Sequence, residues 1–528
     1  MTDIEIPQIE DRDWRYRALE ILPGALTWSI LALPIVLSII NPKLAAYFVI
    51  TFLLVWFVRA LAIAVRSVQG WRKMAEFQKL DWQRLNKDLE SLEFNAKDSP
   101  KWHLRNLARV QKYIAHERIK PSQVYHVAIV FFWNETRDVL EPTIQSIIDS
   151  RYDHQKIILI LAYEQRGGPD IEALANDLVK DYGQHFYHAE AVMHPWPMIG
   201  EVVGKGGNAT FAGKRLKKYL AQVKIKPEHV LVTTLDSDNR PDKQYFASLT
   251  YTYCSTEDPK HSSYQPTTMY TNNIWDAPAP MRVIAAANSF WNIVLSLRPH
   301  MLRNFSAHAQ PMSALIETDF WSVRTIVEDG HQYWRTFFRF DGKHEVYPIY
   351  LPIYQDAVLT ENYKRTLKMQ FIQVRRWAWG CSDIAYVFNN GFLKKNKIPK
   401  TRMIAKFARL LESHLSWSTT PILLAVAAYP AFIINPESYV ANQLPHLVSW
   451  IQRVLTAGIL VSLFLGIKSL PPKPQRYKRR RTVWMVLQWV YFPITMIIYS
   501  SFASIYSQTR LMFGWYLGWV ITEKAVRK

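Results

Sequence analysis

Cysteine is nearly absent: Cys254 and Cys381 are the only two in 528 residues. Two thiols cannot build a disulfide framework, and neither lies in a Cys-x-x-Cys or Cys/His cluster, which disfavours structural zinc. Acidic residues are also short, 44 Asp and Glu against 64 Lys and Arg, leaving a net charge of +20. Hydrophobic residues, by contrast, reach 49% and aromatics 14%, which excludes disorder and low-complexity fibres. The length exceeds one ordinary core and points to two or more folded units. A cationic excess fits nucleic acid, anionic lipid, phosphorylated substrates or the cytoplasmic side of a membrane protein. Position along the chain decides among them.

Residues 21–40 carry no charge and residues 44–65 carry only Arg59. Each reaches the roughly 20 residues that cross about 30 Å of hydrocarbon, and Asn41-Pro42-Lys43 joins them as a hairpin. A cleaved signal peptide is the alternative for the first run, but the second follows at once. Further apolar runs cover 418–434, 447–467 and 483–507, the last interrupted by Pro493. The link 436–447 has no Lys or Arg, whereas 468–481 carries Lys468, Lys473, Arg476, Lys478, Arg479, Arg480 and Arg481. The positive-inside rule puts the basic loop in the cytoplasm, and Arg66, Arg72 and Lys73 say the same of the central region. Five crossings would leave Lys524, Arg527 and Lys528 outside, so 483–507 is re-entrant or broken, or 511–521 adds a short pass. The expected division is an N-terminus (1–20), a transmembrane hairpin (21–66), a helical connector (67–120), a cytoplasmic domain (121–415), transmembrane helices (416–507) around the loop 468–481, and a C-terminal segment (508–528).

Inside the central domain, VYHVAIVFF (124–132), KIILILA (156–162) and VLVTTL (230–235) are continuous apolar runs of the kind found in strands covered on both faces. Helical patterns at 139–148 and 171–182 separate them, which predicts a doubly wound α/β sheet. Ligands bind such sheets beyond the carboxyl ends of the strands. Asn134, Glu135, Glu164, Asp236 and Asp238 each follow an apolar run and are expected at one crevice.

Two carboxylates at a strand end, Asp236 and Asp238, suit a divalent cation that also takes diphosphate oxygens, although a solvated turn has the same look. Lys205-Gly206-Gly207-Asn208 precedes an amphipathic run, where small residues admit phosphate to backbone N–H groups; a plain turn is the other reading. Glu328-Asp329, after the β-rich run SVRTIV, offers a carboxylate to take a proton from a hydroxyl, or an acid pair at a helix start. In QVRRWAWG, Arg supplies a fork for phosphate oxygens and Trp a face for a sugar ring. An interfacial anchor near a membrane would also read this way. Residues 288–305 are apolar and basic together, either an interfacial amphipathic helix or a core helix. Residues 71–113 read as a solvated helical connector.

In order, Asn134-Glu135, Glu164, Lys205 with Asn208, Asp236-x-Asp238, Glu328-Asp329 and Gln373-x-x-Arg376-Trp377, flanked by membrane runs, resemble the membrane-integrated family 2 glycosyltransferases, the group of cellulose synthase and hyaluronan synthase. The resemblance covers most of the chain. It implies a GT-A-like, Rossmann-like cytoplasmic domain in a multi-pass inner or plasma membrane protein. It also implies an inverting, metal-dependent transfer from a nucleotide-sugar donor, with a uridine preference, to a growing polysaccharide that can be exported. On that resemblance Asn134, Glu135, Glu164, Lys205, Asn208, Asp236 and Asp238 would bind the donor, and Asp236 and Asp238 would hold Mg²⁺ or Mn²⁺. Asp329 would be the base beside Glu328, Arg376 would steady the diphosphate, and Gln373 and Trp377 would meet the acceptor. Glu164 stands where the family more often has Asp.

Thr360-Glu361-Asn362 mimics the family's Thr-Glu-Asp triplet, but an amide cannot act as the base, so Asp329 is preferred and Asp356 follows. There is no Phe-Phe-Cys-Gly-Ser acceptor motif, only His308-Ala309-Gln310-Pro311-Met312, and no cyclic-nucleotide-binding tail. Transfer of one sugar to a membrane lipid is the alternative reaction. A non-catalytic transporter conflicts with the retained acids and arginine. Nucleic acid is not expected as a partner, because the basic residues crowd beside the spans, where topology explains them.

Overall fold

The computed structural model describes residues 4–93, 99–113, 118–478 and 480–520. Arg479 of the basic loop, the tail cations Lys524, Arg527 and Lys528, and parts of the connector lie outside the described residues.

Eight strands form one sheet: β1 (Tyr125–Phe132), β2 (Ile157–Glu164), β3 (His188–His194), β4 (Val230–Asp236), β5 (Arg240–Pro241), β6 (Ser262–Met269), β7 (Ala309–Pro311) and β8 (Glu345–Tyr354), in the order β3-β2-β1-β4-β7-β6-β8-β5. The three apolar runs become β1, β2 and β4, which pair in parallel with β3 at one edge. Beyond β4 the sheet changes character. β7 runs antiparallel to β4 and β6, β8 is parallel to β6, and β5 is antiparallel to β8. The sheet is therefore mixed, and the doubly wound parallel expectation describes only its first half. β6 (SSYQPTTM) and β7 (AQP) have no apolar run to betray them, and a register shift falls between Pro266 and Thr267.

Helices cover both faces. On one side Leu140 and Ile144 of Arg137–Ile148 and Ala175 and Leu178 of Pro169–Tyr182 pack on the strands. Ala209, Ala212 and Leu216 of Lys205–Gln222 cover the other. The region 71–113 is not a solvated connector: Trp82, Leu85, Leu89, Leu107 and Val110 are buried against the sheet. Their i, i+3, i+4 spacing builds the stripe that finds this partner. SVRTIV is not a strand either. Asp319 and Phe320, just before it, take positive φ angles of 49° and 60°, which ends extended backbone, and Glu328 opens the helix Glu328–Arg339 instead.

Among the described residues three helical segments are long and apolar enough to cross a membrane: Trp14–Ile40, Pro42–Phe77 and Arg480–Met512. The last is irregular, with a 3₁₀ stretch at Gln488–Tyr491 and a π stretch at Met496–Phe502 around Pro493. The run 418–434 is divided between the helices Lys400–Val426 and Tyr429–Ile434, and 447–467 lies within Tyr439–Lys468. Ala45, Ala46, Val49 and Leu53 pack against Leu423, Ala431, Ala441 and Leu444, so the first hairpin and the C-terminal helices share a core. The amphipathic helix expected at 288–305 is Ala279–Ser296, after which the chain turns irregular.

Candidate active site

The carboxyl edge of β1, β2 and β4 carries the acids. β4 delivers Asp236 directly, and the helix Lys205–Gln222 starts beside it. Lys205 is 9% exposed, and its Nζ lies 3.0 Å from Asp236 Oδ1 and 3.2 Å from Asp329 Oδ2. An ammonium this deep needs such partners. Burial works against its charge, but Asp236, Asp329 and Glu328 outweigh it and hold its pKa above the ordinary value. Three chain segments far apart in sequence thus meet at one cation.

Around this centre the remaining groups are fixed by hydrogen bonds. Ser306 Oγ donates to Asp236 Oδ2 at 2.6 Å. The Asp356 amide donates to Asp238 Oδ2 at 3.0 Å, and Asn272 donates to the Asp238 carbonyl at 2.9 Å. His308 Nδ1 donates to the Phe305 carbonyl at 2.9 Å and lies 3.6 Å from Asp329 Oδ1. Burial lowers its pKa despite Asp329, so the ring is neutral there. Tyr270 lies close enough to Asp236 and Asp238 that burial, and then both carboxylates, raise its pKa.

The two acids at 328–329 differ. Asp329 is half-buried and ion-paired, whereas Glu328 is 3% exposed and its Oε2 has no hydrogen-bond partner. Burial, then the neighbouring Asp329 carboxylate, lift the Glu328 carboxyl to about 8. At neutral pH Glu328 carries its proton. The half-buried Arg376 comes from the helix Tyr363–Ala378. Burial lowers the pKa of its guanidinium against the pull of Glu328, Asp236 and Asp329, and its Cζ stands 4.1 Å over the Trp519 ring. Trp377, on the same helix, lies 6.2 Å from the Tyr270 ring, and Gln373 accepts from Gln370 at 3.4 Å. Asn362 accepts from the Arg365 amide as the cap of this helix, a role that an Asp would fill as well.

The expected donor residues divide. Asn208 donates to the Ala162 carbonyl at 3.1 Å and stitches its helix to β2. Glu135 accepts from the Trp133 amide at 2.8 Å and from Ser237 Oγ at 3.0 Å, tying the ends of β1 and β4, while Asn134 is exposed. Glu164 accepts from Arg166 at 3.2 Å and from His194 at 3.2 Å, and the far nitrogen of His194 meets Glu201 at 3.0 Å. Burial opposes the charge of His194, but the two carboxylates outweigh it and raise its pKa to about 9. The Gly-Gly pair lies in the first turn of the helix Lys205–Gln222, where side chains would not fit. A Cβ on Gly206 would fall 2.1 Å from the Ser322 carbonyl, and one on Gly207 would fall 2.3 Å from the Glu201 carboxylate. The pair also serves close packing.

Sequence reasoning also missed Tyr270, His194, Glu201, Ser306 and Trp519, since none belongs to a recognisable spacing. Among the described residues no group of three or more His, Cys, Asp or Glu is arranged to hold a metal by itself.

No protein-family model and no curated protein matches the chain. Solved structures do. The mannosyltransferase PcManGT of Pyrobaculum calidifontis, in complex with GDP-Man and Mn²⁺, is similar at 12% identity and TM-score 0.38, over 82% of this chain and 97% of that one. S. aureus TarS 1-349 is similar at 11% identity and TM-score 0.35, over 74% and 93%; its complex with UDP-GlcNAc gives 12% and 0.34 over 74% and 93%. At these identities and scores the functional reading rests on the residues.

Proposed function

We propose that the chain is a membrane-embedded glycosyltransferase of the family 2 type, with a GT-A-like catalytic domain at the cytoplasmic face. It transfers a sugar, with inversion, from a nucleoside diphosphate donor to a growing polysaccharide. The observation that carries this reading is the buried Lys205 ammonium bridging Asp236 and Asp329 at the carboxyl edge of parallel strands. A cation so placed is matched to a diphosphate, and a carboxylate beside it is matched to a hydroxyl.

In this mechanism the diphosphate draws Lys205 away from Asp329 and leaves that carboxylate unneutralised. Asp329 takes the proton of the acceptor hydroxyl as its oxygen bonds to the anomeric carbon. The bond from that carbon to the diphosphate breaks on the opposite face, and the diphosphate departs with the electron pair beside Lys205 and Arg376. Glu328, neutral at pH 7, adds no repulsion to the leaving anion. Asp236 and Asp238 would hold Mg²⁺ or Mn²⁺: two hard carboxylates suit an ion that completes its shell with phosphate oxygens. Such an ion supplies positive charge to the leaving group. Trp377 and Tyr270 offer aromatic faces to the acceptor sugar.

The test incubates membranes containing the full chain with a panel of labelled UDP- and GDP-sugars, with and without Mn²⁺, and sizes the product. A divalent-dependent polymer ladder is expected from one donor. A single glycolipid would replace the polysaccharide reading with lipid glycosylation, and no consumption of any nucleotide sugar would reject the proposal.

A further inference from the structure

Away from the strand edge lies a second concentration of charge that sugar transfer does not use. The helices Pro42–Phe77 and Ala279–Ser296 cross tightly at Gly70, where a Cβ would meet Ile293 Cγ2 at 2.5 Å and Leu297 Cδ1 at 3.4 Å. Arg66 stands one turn before that crossing and Arg298 follows it. A third element joins them: Arg409, on Lys400–Val426, donates to the His300 carbonyl at 3.3 Å. Within each long helix the cations repeat at stripe spacing, Arg59 and Arg66 seven residues apart, Lys406 and Arg409 three apart, so each set lies along one face.

Compensation is thin. Glu412 pairs with Arg59 at 2.5 Å. Lys406 donates to the neutral Tyr333 hydroxyl at 2.6 Å. Among the described residues the side chains of Arg66 and Arg298 make no hydrogen bond or ion pair. Burial, then the charges of Arg66, Arg409 and Arg59, depress the pKa of Arg298, as expected where cations lie close together. Beside them, exposed apolar side chains continue along the same helices: Val58 at 65%, Leu61 at 59% and Ile404 at 57%. Unpaired cations next to an apolar, membrane-length helix match a ligand with a phosphate at one end and acyl chains at the other.

We infer that Arg66, Arg298 and Arg409, gathered where the membrane-length helix Pro42–Phe77 and the helix Lys400–Val426 meet the end of Ala279–Ser296, form a binding site for the phosphate headgroup of an anionic phospholipid. The bilayer supplies the ligand, and its acyl chains lie along Val58 and Leu61. The site is separate from the sugar-transfer residues and needs none of them.

The test titrates the purified full chain in neutral detergent with phosphatidylglycerol, phosphatidylcholine or inorganic phosphate, and reads retained lipid by native mass spectrometry and the shift in melting temperature. Phosphatidylglycerol is expected to bind and stabilise, and phosphatidylcholine and inorganic phosphate at equal concentration are not. R66Q/R298Q/R409Q should lose about a hundredfold in apparent affinity for phosphatidylglycerol, at about fivefold per cation. R298Q alone should lose about fivefold, which keeps the test valid should the triple variant not fold. As a charge-matched control, K394Q/K395Q/K397Q neutralises exposed lysines elsewhere and should stay within twofold of the parent. Equal loss in that control, full binding by the triple variant, or inorganic phosphate acting as well as the lipid would each overturn the inference.

Discussion

The two halves of the sheet are held together by different forces. β1, β2 and β4 are mainly apolar, and Val127, Ile129, Leu159 and Leu161 are fully buried between helical layers. β6 and β7 sit equally deep but carry polar side chains that hydrogen-bond to their surroundings. Ser263 Oγ donates to Asn304 at 2.7 Å, and Gln265 accepts from the Phe305 amide at 2.7 Å and donates to the Ser306 carbonyl at 3.3 Å. Gln310 and Gln332 continue the network at 3.1 Å. One half is driven by removing apolar area from water, the other by satisfying buried polar groups that are costly when left alone. The polar half is also the one that sets Ser306 against Asp236.

Substitutions can break that contrast. Leu159→Ala, in the middle of β2, should destabilise the chain by about 2–5 kcal/mol in a denaturation experiment, with transfer by the surviving folded fraction little changed. Gln265→Leu keeps the size and removes the polar partner of the Phe305 amide and Ser306 carbonyl. It should cost about 1–3 kcal/mol and, unlike Leu159→Ala, should slow transfer by the folded protein, because Ser306 loses its anchor. Equal effects on activity per folded molecule would erase the distinction between the halves.

A smaller effect separates the two acids of the site. The Glu328 carboxyl titrates at about 8 in the folded chain against an ordinary value of 4.5. Between those values the unfolded chain gives up this proton and the folded chain keeps it, so Glu328 subtracts stability as pH rises through the window. Glu328→Gln should therefore melt above the parent at pH 8 and converge with it near pH 4.5. Parallel melting curves at all pH values would mean that Glu328 is ionised in the fold.

The same contrast explains what could be read in the sequence. VYHVAIVFF, KIILILA and VLVTTL announce buried parallel strands, and an acid directly after such a run is fixed at the strand end by the backbone alone. Asp236 and Glu164 were legible for that reason. β6, with Pro266 and a run of Ser and Thr, reads as loop because its partners are side chains distant in sequence. SVRTIV misled in the other direction, since its β-branched residues say strand while Asp319 and Phe320 turn the chain. Long apolar runs were visible in the same way as the core strands, but the breaks at 427–428 and around Pro493 depend on packing among helices. His194 was invisible because its importance comes from Glu164 and Glu201 on either side. Trp519 lies far beyond every motif and reaches the site only through the fold.

The central claim is that Asp329 does the proton transfer at a site built to hold a diphosphate. Donor affinity and turnover measured together on Asp329→Asn in the whole chain test it most directly. The account predicts donor affinity within a few-fold of the parent and turnover lower by about 10²–10⁴-fold. Turnover equal to the parent would contradict it and move the search for the base to Asp356.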